Sequence, residues 1–171
     1  KVGGGGGSTA KYEKDEGDKL YRRSMYTFWK RTVPPPSMMT FDAASRDFCS
    51  VQRETTSTPL QALIMLNDPQ ITEAARVLAY RVIEETEDLD LRISKMFERA
   101  TSRKPTESEL ANLKAYFEEE LNRFKENPKD AEAFLSVGEF EQKEFLTKSE
   151  TAAYAITANA IFNLDETITR G

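Results

Sequence analysis

Hydrophobic positions recur at helical spacing along most of the chain. Tyr21, Met25 and Trp29 follow one another at four-residue intervals behind Asp18, a residue type that caps helices. Apolar residues also recur at intervals of three or four between Leu110 and Phe124. No window alternates apolar and polar residues with a period of two, as a half-buried strand would. The pattern therefore predicts an all-α fold.

Two helix starts combine a capping side chain with a proline. Thr58 precedes Pro59 and Asp68 precedes Pro69, and proline suits the first helical position because its missing N–H would be unpaired there anyway. We expect Thr58 and Asp68 to be N-caps. Residues 60–66 between them are almost entirely apolar, which predicts a buried helix.

Further cap and stop signals divide the rest of the chain. Asp88 or Asp90 can begin one helix, and Thr106 with Glu109 forms a capping-box pattern before another that runs to about residue 126. Asn127-Pro128 predicts the start of a helix that runs to residue 137 and stops at Gly138. The last predicted helix is capped by Ser149 and runs to about Leu164.

The domain organisation follows from one glycine run. Residues 3–7 are all glycine, and glycine loses more conformational freedom on ordering than any other residue. We interpret residues 1–17 as a flexible tail or an engineered linker. Residues 18–171 are then a single helical domain, an irregular bundle of about seven helices.

Composition excludes several classes of site. The 171 residues include no histidine and one cysteine, Cys49, so His-based catalysis and His/Cys zinc sites are excluded within the chain. We predict no metal and no cofactor. The net charge of -5 disfavours nucleic-acid binding, and no apolar run approaches the ~20 residues that a membrane span needs. The acidic residues concentrate between residues 84 and 150, which predicts solvated helix faces.

Polar residues that could form a binding cleft are densest between residues 22 and 68. Basic side chains beside aromatic rings can stack on a sugar or a base. The same residues also fit a structural role, since Asp42 and Arg46 are spaced as an ordinary i, i+4 helix pair. The candidate binding residues are Trp29, Arg31, Asp42, Arg46 and Arg53.

Three strings carry a resemblance to a known family. They are YRRSMYTFWKRTVPPPSMM at residues 21–39, TPLQAL with LNDP at residues 58–69, and NLDE at residues 163–166. Together they resemble the C-terminal part of the planctomycete-type domain of unknown function 1553, over about residues 10–171. The chain departs from that pattern at residues 54–57, where a basic residue and then Thr-Asn are expected.

The resemblance implies an uncharacterised part of a larger secreted or surface protein, and therefore an extracytoplasmic location. Related proteins are often found beside polysaccharide-degradation systems. We therefore expect a non-catalytic helical module that packs against other domains of its parent protein and supports a site there. The alternative is a carbohydrate-active or glycan-binding domain with a polar cleft formed by residues 22–68. A cytosolic interaction protein is a third reading, which the resemblance to secreted proteins disfavours.

Overall fold

The computed structural model describes Thr40 and residues 58–168, and this part of the chain contains seven α-helices and no strand. The all-α prediction is confirmed there. The tail at residues 1–17 and the helices predicted near residues 18–33 and 43–49 lie outside the described residues. The helices are α1 Pro59–Asn67, α2 Pro69–Glu85, α3 Leu89–Thr101, α4 Glu107–Glu126, α5 Pro128–Leu135, α6 Lys148–Phe162 and α7 Asp165–Ile168.

Helix α6 lies at the centre of the core. Its small residues Ala152, Ala153, Ala155 and Ala158 are fully buried, and its most extensive contacts are with α2 and α4. Because the distance between packed helices depends on the side chains at their contact, alanines let the neighbouring helices approach closely. Such an apolar surface on every side is typical of a helix that is surrounded by other helices.

Larger side chains from the surrounding helices fill the space around α6. Phe117 of α4 packs against Tyr154 of α6 with ring centroids 4.5 Å apart, and Phe124 packs against Phe134 at 6.2 Å. Such aromatic pairs add about 0.5–1.5 kcal/mol beyond the burial of their area. The other large apolar residues of the core are Leu78, Val82, Ile83, Ile93, Met96, Phe97, Leu135 and Ile161.

The predicted caps of α1 and α2 are confirmed. The Thr58 side chain accepts the Gln61 N–H, and Gln61 Oε1 accepts the Thr58 N–H at 2.9 Å, which completes a capping box. The Asp68 carboxylate accepts the N–H groups of Gln70 and Ile71. Both helices carry proline in their first turn, as the sequence predicts.

The later helix starts are confirmed in part. Asp88, rather than Asp90, caps α3, and Thr106 forms the expected capping box with Glu109. Asn127 occupies the N-cap position of α5 without any side-chain cap hydrogen bond. Helix α5 ends at Leu135, two residues before the predicted end.

The predicted start of α6 at Ser149 is wrong. Thr147 caps this helix, and Glu150 three residues later completes a capping box. The Ser149 hydroxyl instead donates to the carbonyl of Phe124 at 3.0 Å, so it ties α6 to the end of α4. The helix also ends at Phe162, and the short α7 follows it rather than a continuous helix to residue 164.

The expectation that α1 is buried is wrong for its leucines. Leu60, Leu63 and Leu66 are 55%, 56% and 44% exposed, whereas Gln61 is only 3% exposed. The buried amide of Gln61 is hydrogen-bonded at both atoms, because its Nε2 donates to the carbonyl of Thr40 at 2.7 Å and its Oε1 accepts the Thr58 N–H. A helix that is apolar on all sides carries no pattern that indicates which side faces the core.

An ion-pair cluster just after α3 connects α4 and α7. The Arg103 guanidinium pairs with Glu109 of α4 at 2.6 Å and with Glu166 of α7 at 2.8 Å. It also lies 4.7 Å from the ring centroid of Phe97. The hydrogen bonds from Arg103 and then from Thr106 lower the pKa of Glu109 to about 2, and the two carboxylates raise the pKa of Arg103.

The two N-cap positions Asp68 and Asn127 provide a matched test of capping. Asp68→Ala removes a carboxylate that accepts two backbone N–H groups, so we expect it to lower the free energy of unfolding by about 1 kcal/mol. Asn127→Ala is the control, because Asn127 makes no cap hydrogen bond. Urea denaturation measures both values. Equal losses in the two variants would contradict the capping role of Asp68.

Candidate functional site

The five residues proposed from the sequence lie outside the described part of the chain. Trp29, Arg31, Asp42, Arg46 and Arg53 therefore stay a prediction, and so does a cleft formed by residues 22–68. One contact reaches toward that region, the hydrogen bond from Gln61 Nε2 to the carbonyl of Thr40. Within the described residues, the candidate site is a groove elsewhere in the fold.

The groove lies between α2, the ends of α3 and α6, and the loop at residues 136–147, which connects α5 to α6. Its volume is about 990 Å³, near the upper end of the range for small-molecule sites. Apolar side chains line it together with charged ones of both signs. The lining residues are Glu73, Ala74, Val77, Leu78, Arg81, Arg99, Glu139, Phe140, Glu141 and Phe162.

Helix α2 supplies one wall of the groove because its lining residues recur at helical spacing. Glu73, Val77 and Arg81 are four residues apart and therefore lie on the same face. At 1.5 Å of rise per residue, Glu73 and Arg81 are separated by about 12 Å along the helix. The carboxylate and the guanidinium thus mark two ends of this wall, with apolar side chains between them.

The buried carboxylate of Glu73 holds the facing loop in place. Its side chain is only 4% exposed, and it accepts the N–H of Glu139 at 3.0 Å and the N–H of Phe140 at 2.8 Å. Hydrogen bonds to an ionised group are stronger than those between neutral groups. The backbone of the loop is therefore fixed where it forms the second wall of the groove.

Gly138 lets the loop approach this carboxylate. Its φ is +93°, a conformation that side chains rarely adopt, and a Cβ at this position would lie 2.3 Å from Glu73 Oε2. Both the backbone conformation and the close approach thus require glycine.

Arg76 holds the same loop through its carbonyl groups. Its side chain is 1% exposed, and its Nη2 donates to Val137 at 3.3 Å and to Phe140 at 2.9 Å. Tyr80, one turn further along α2, packs against the rings of Phe140 and Phe145 with centroids 6.5 and 5.9 Å away. Charged and aromatic groups of α2 therefore fix the loop at several points.

The two arginines of the groove differ in their partners. Arg99 pairs with Glu85, which also pairs with Lys95. The hydrogen bond from Arg99, followed by that from Lys95, lowers the pKa of Glu85. Arg81 is exposed and has no ion pair or side-chain hydrogen bond within the described residues. Arg81 is thus the cation of the groove that can accept an external anion.

The arrangement suits binding. Across Thr40 and residues 58–168, no three acidic, histidine or cysteine side chains converge on a point where a metal ion could be held. None of the helices in the same part of the chain is both long and apolar enough to cross a membrane. The groove offers an apolar surface with an available guanidinium at one end, which can hold a ligand that has an apolar body.

Sequence reasoning missed Glu73 and Arg76 as functional residues. Charged residues in an amphipathic helix are normally assigned to its solvent face. One signal was present, because residues 73, 76 and 80 follow the i, i+3, i+7 spacing of a buried stripe. What the spacing could not show is the loop, 61 to 67 residues further along the chain, whose backbone groups hydrogen-bond to these two buried side chains.

The comparison with protein families gives one match. The family described as "Protein of unknown function (DUF1553)" matches residues 5–117. The chain belongs to this family. Neither the comparison with curated proteins nor that with solved structures gives a match.

The DUF1553 match ends within α4, whereas the fold continues beyond it. The first four helices lie within or begin within the matched residues, and α5, α6 and α7 follow them. The central helix α6 is therefore outside the match. The groove combines both parts, since α2 and Arg99 belong to the matched residues while the loop and Phe162 do not.

Replacing Gly138 tests how the loop is held. We expect Gly138→Ala to lower the free energy of unfolding by more than about 1 kcal/mol, because alanine is strained at positive φ and its Cβ collides with Glu73. Chemical denaturation of the single variant, of Glu73→Ala and of the double variant separates the two causes. If the collision contributes, Gly138→Ala lowers the free energy of unfolding by less in the Glu73→Ala background than in the unsubstituted chain. A strictly additive double variant would contradict the steric part.

Proposed function

We propose that the chain is a non-catalytic helical module of a larger exported DUF1553 protein, and that it packs against other parts of that protein through α1. The observation that carries this proposal is the leucine stripe, formed by Leu60, Leu63 and Leu66. All three side chains are at least 44% exposed on a helix of nine residues. Their spacing of three residues places them within about 120° of one another around the helix.

The stripe is unusual for a surface that contacts only water. Single exposed leucines are normal in folded proteins, but adjoining apolar side chains often mark an interaction surface. Burying a leucine side chain fully is worth about 1.5–3 kcal/mol. Three such residues on one helix can therefore contribute substantially to an interface.

The rest of the fold presents the stripe on a fixed helix. The start of α1 is held by the capping box of Thr58 and Gln61, and its end is held by Asn159 of α6, which donates to the carbonyl of Leu66 at 3.4 Å. A surface that is already ordered loses less conformational freedom on association. This supports a docking role for the exposed side of α1.

Hydrogen exchange in the full-length parent protein tests the docking of α1. We expect the amides of α1 to exchange more slowly in the parent than in this chain alone, because the partner surface stabilises the helix. The double variant Leu60→Ser, Leu63→Ser removes this difference and leaves the melting temperature of the isolated chain nearly unchanged. Leu91→Ser is the matched control, since Leu91 is 53% exposed on α3. Equal exchange rates in the parent and the isolated chain would refute the proposal.

Glycan binding through residues 22–68 is the second candidate function. It is supported by the hydrogen bond between Gln61, in the first turn of α1, and Thr40. Thr40 lies two residues before the candidate residue Asp42 in the sequence. Candidate residues next to a fixed point of the fold are better placed to form a cleft. Trp29 and Arg31 would offer a stacking surface and a hydrogen-bond donor for a sugar.

Paired measurements on Arg46→Ala and Arg53→Ala test this second function. The glycan reading predicts an unchanged melting temperature together with lost binding of the parent protein on an array of oligosaccharides. A lower melting temperature in a parent that binds no glycan would instead show that the two arginines are structural. Lys125→Ala is the control, because this exposed lysine is on α4, outside the proposed cleft, and has no ion pair within the described residues.

A further inference from the structure

We propose that the groove binds a small organic anion with an apolar body, such as a medium-chain carboxylate. The apolar body lies against Val77, Leu78 and Phe162, and the carboxylate pairs with Arg81. This site is separate from the leucine stripe of α1 and shares no residue with it. The inference therefore goes beyond the packing function proposed above.

The apolar part of the lining indicates the body of the ligand. Ala74, Val77 and Leu78 of α2 face Phe162 of α6 and Phe140 of the loop across the groove. Ligand sites are lined mainly by apolar and aromatic side chains, with a few polar groups that orient the bound molecule. A flexible hydrocarbon chain matches this surface without leaving polar groups unpaired.

The charges indicate the head group. Arg81 is exposed and has no partner within the described residues, and a guanidinium matches the geometry of a carboxylate through two parallel hydrogen bonds. At the opposite end, the Glu73 carboxylate already accepts two backbone N–H groups. Glu139 and Glu141 lie on the loop side of the groove, so an anion is favoured at the Arg81 end and disfavoured at the loop.

The loop wall of the groove is already ordered without a ligand. Burying a carboxylate and a guanidinium is expensive unless each is well hydrogen-bonded. Glu73 and Arg76 both hydrogen-bond to the backbone of residues 137–140, and Gly138 is required for this approach. Glu73 and Arg76 are therefore positioning residues for the wall that carries Phe140. A wall held in this way loses little further freedom when a ligand binds.

Octanoate and octan-1-ol together test the site, because they share an apolar chain and differ in charge. Titration of the ¹⁵N-labelled chain, followed by ¹H–¹⁵N NMR, locates each ligand and measures its affinity. We expect both to perturb amides of α2 and of residues 139–141. We also expect octanoate to bind more tightly than octan-1-ol, since only octanoate can pair with Arg81.

Three variants separate the contributions. Arg81→Gln is expected to weaken octanoate about tenfold, the loss of one charge-assisted pair, and to leave octan-1-ol unchanged. Ala74→Trp fills the groove from an exposed position of α2 and is expected to abolish binding of both ligands. Lys125→Gln is the control, because Lys125 is an exposed cation on α4 without an ion pair in the described part of the chain, and it is expected to change neither. Perturbations outside the groove, or an equal loss of octanoate binding in Arg81→Gln and Lys125→Gln, would overturn the proposal.

Discussion

The close packing of α2, α4 and α5 around α6 is the constraint on which the described structure depends. Because four of its residues are fully buried alanines, α6 has a small cross-section, and three helices can pack closely against it. Side chains of the outer helices also contact one another, as Phe124 and Phe134 do, and a packed interior tolerates little change in volume. The groove and the leucine stripe are both positioned by this packing, since α2 carries one wall of the groove and α6 holds the end of α1.

Buried polar groups connect the helices and loops that surround α6. Arg92 of α3 donates to the carbonyl of Thr86 at 2.6 Å and to the hydroxyl of Tyr154 at 3.1 Å. It thereby connects the α2–α3 turn to the central helix. Arg76 plays a comparable part, because it joins α2 to the loop before α6. Apolar contacts alone are compatible with several helix registers, whereas a buried guanidinium needs its particular acceptors.

The sequence predicted features whose causes are local. Caps such as Asp68 and Thr106 depend on residues three positions apart, and such pairs can be recognised without the fold. Features set by distant contacts were missed. Ser149 has the chemistry of a cap, yet its hydroxyl is engaged by Phe124, and Thr147 takes its place. The exposed leucines of α1 and the buried charge of Glu73 depend on which elements pack nearby, which spacing along one helix does not reveal.

The position of α6 near the end of the described residues affects how the chain folds during synthesis. Helix α2 emerges from the ribosome about 80 residues before its main packing partner is complete. At translation rates of ~5–20 residues per second, the synthesis of these residues takes on the order of 4–16 s, and during this time the apolar face of α2 lacks its partner α6. Contacts so distant in sequence also slow folding, because a long loop must close before they form. Until then, the nascent chain exposes the surface on which chaperones and neighbouring parts of the same polypeptide can act.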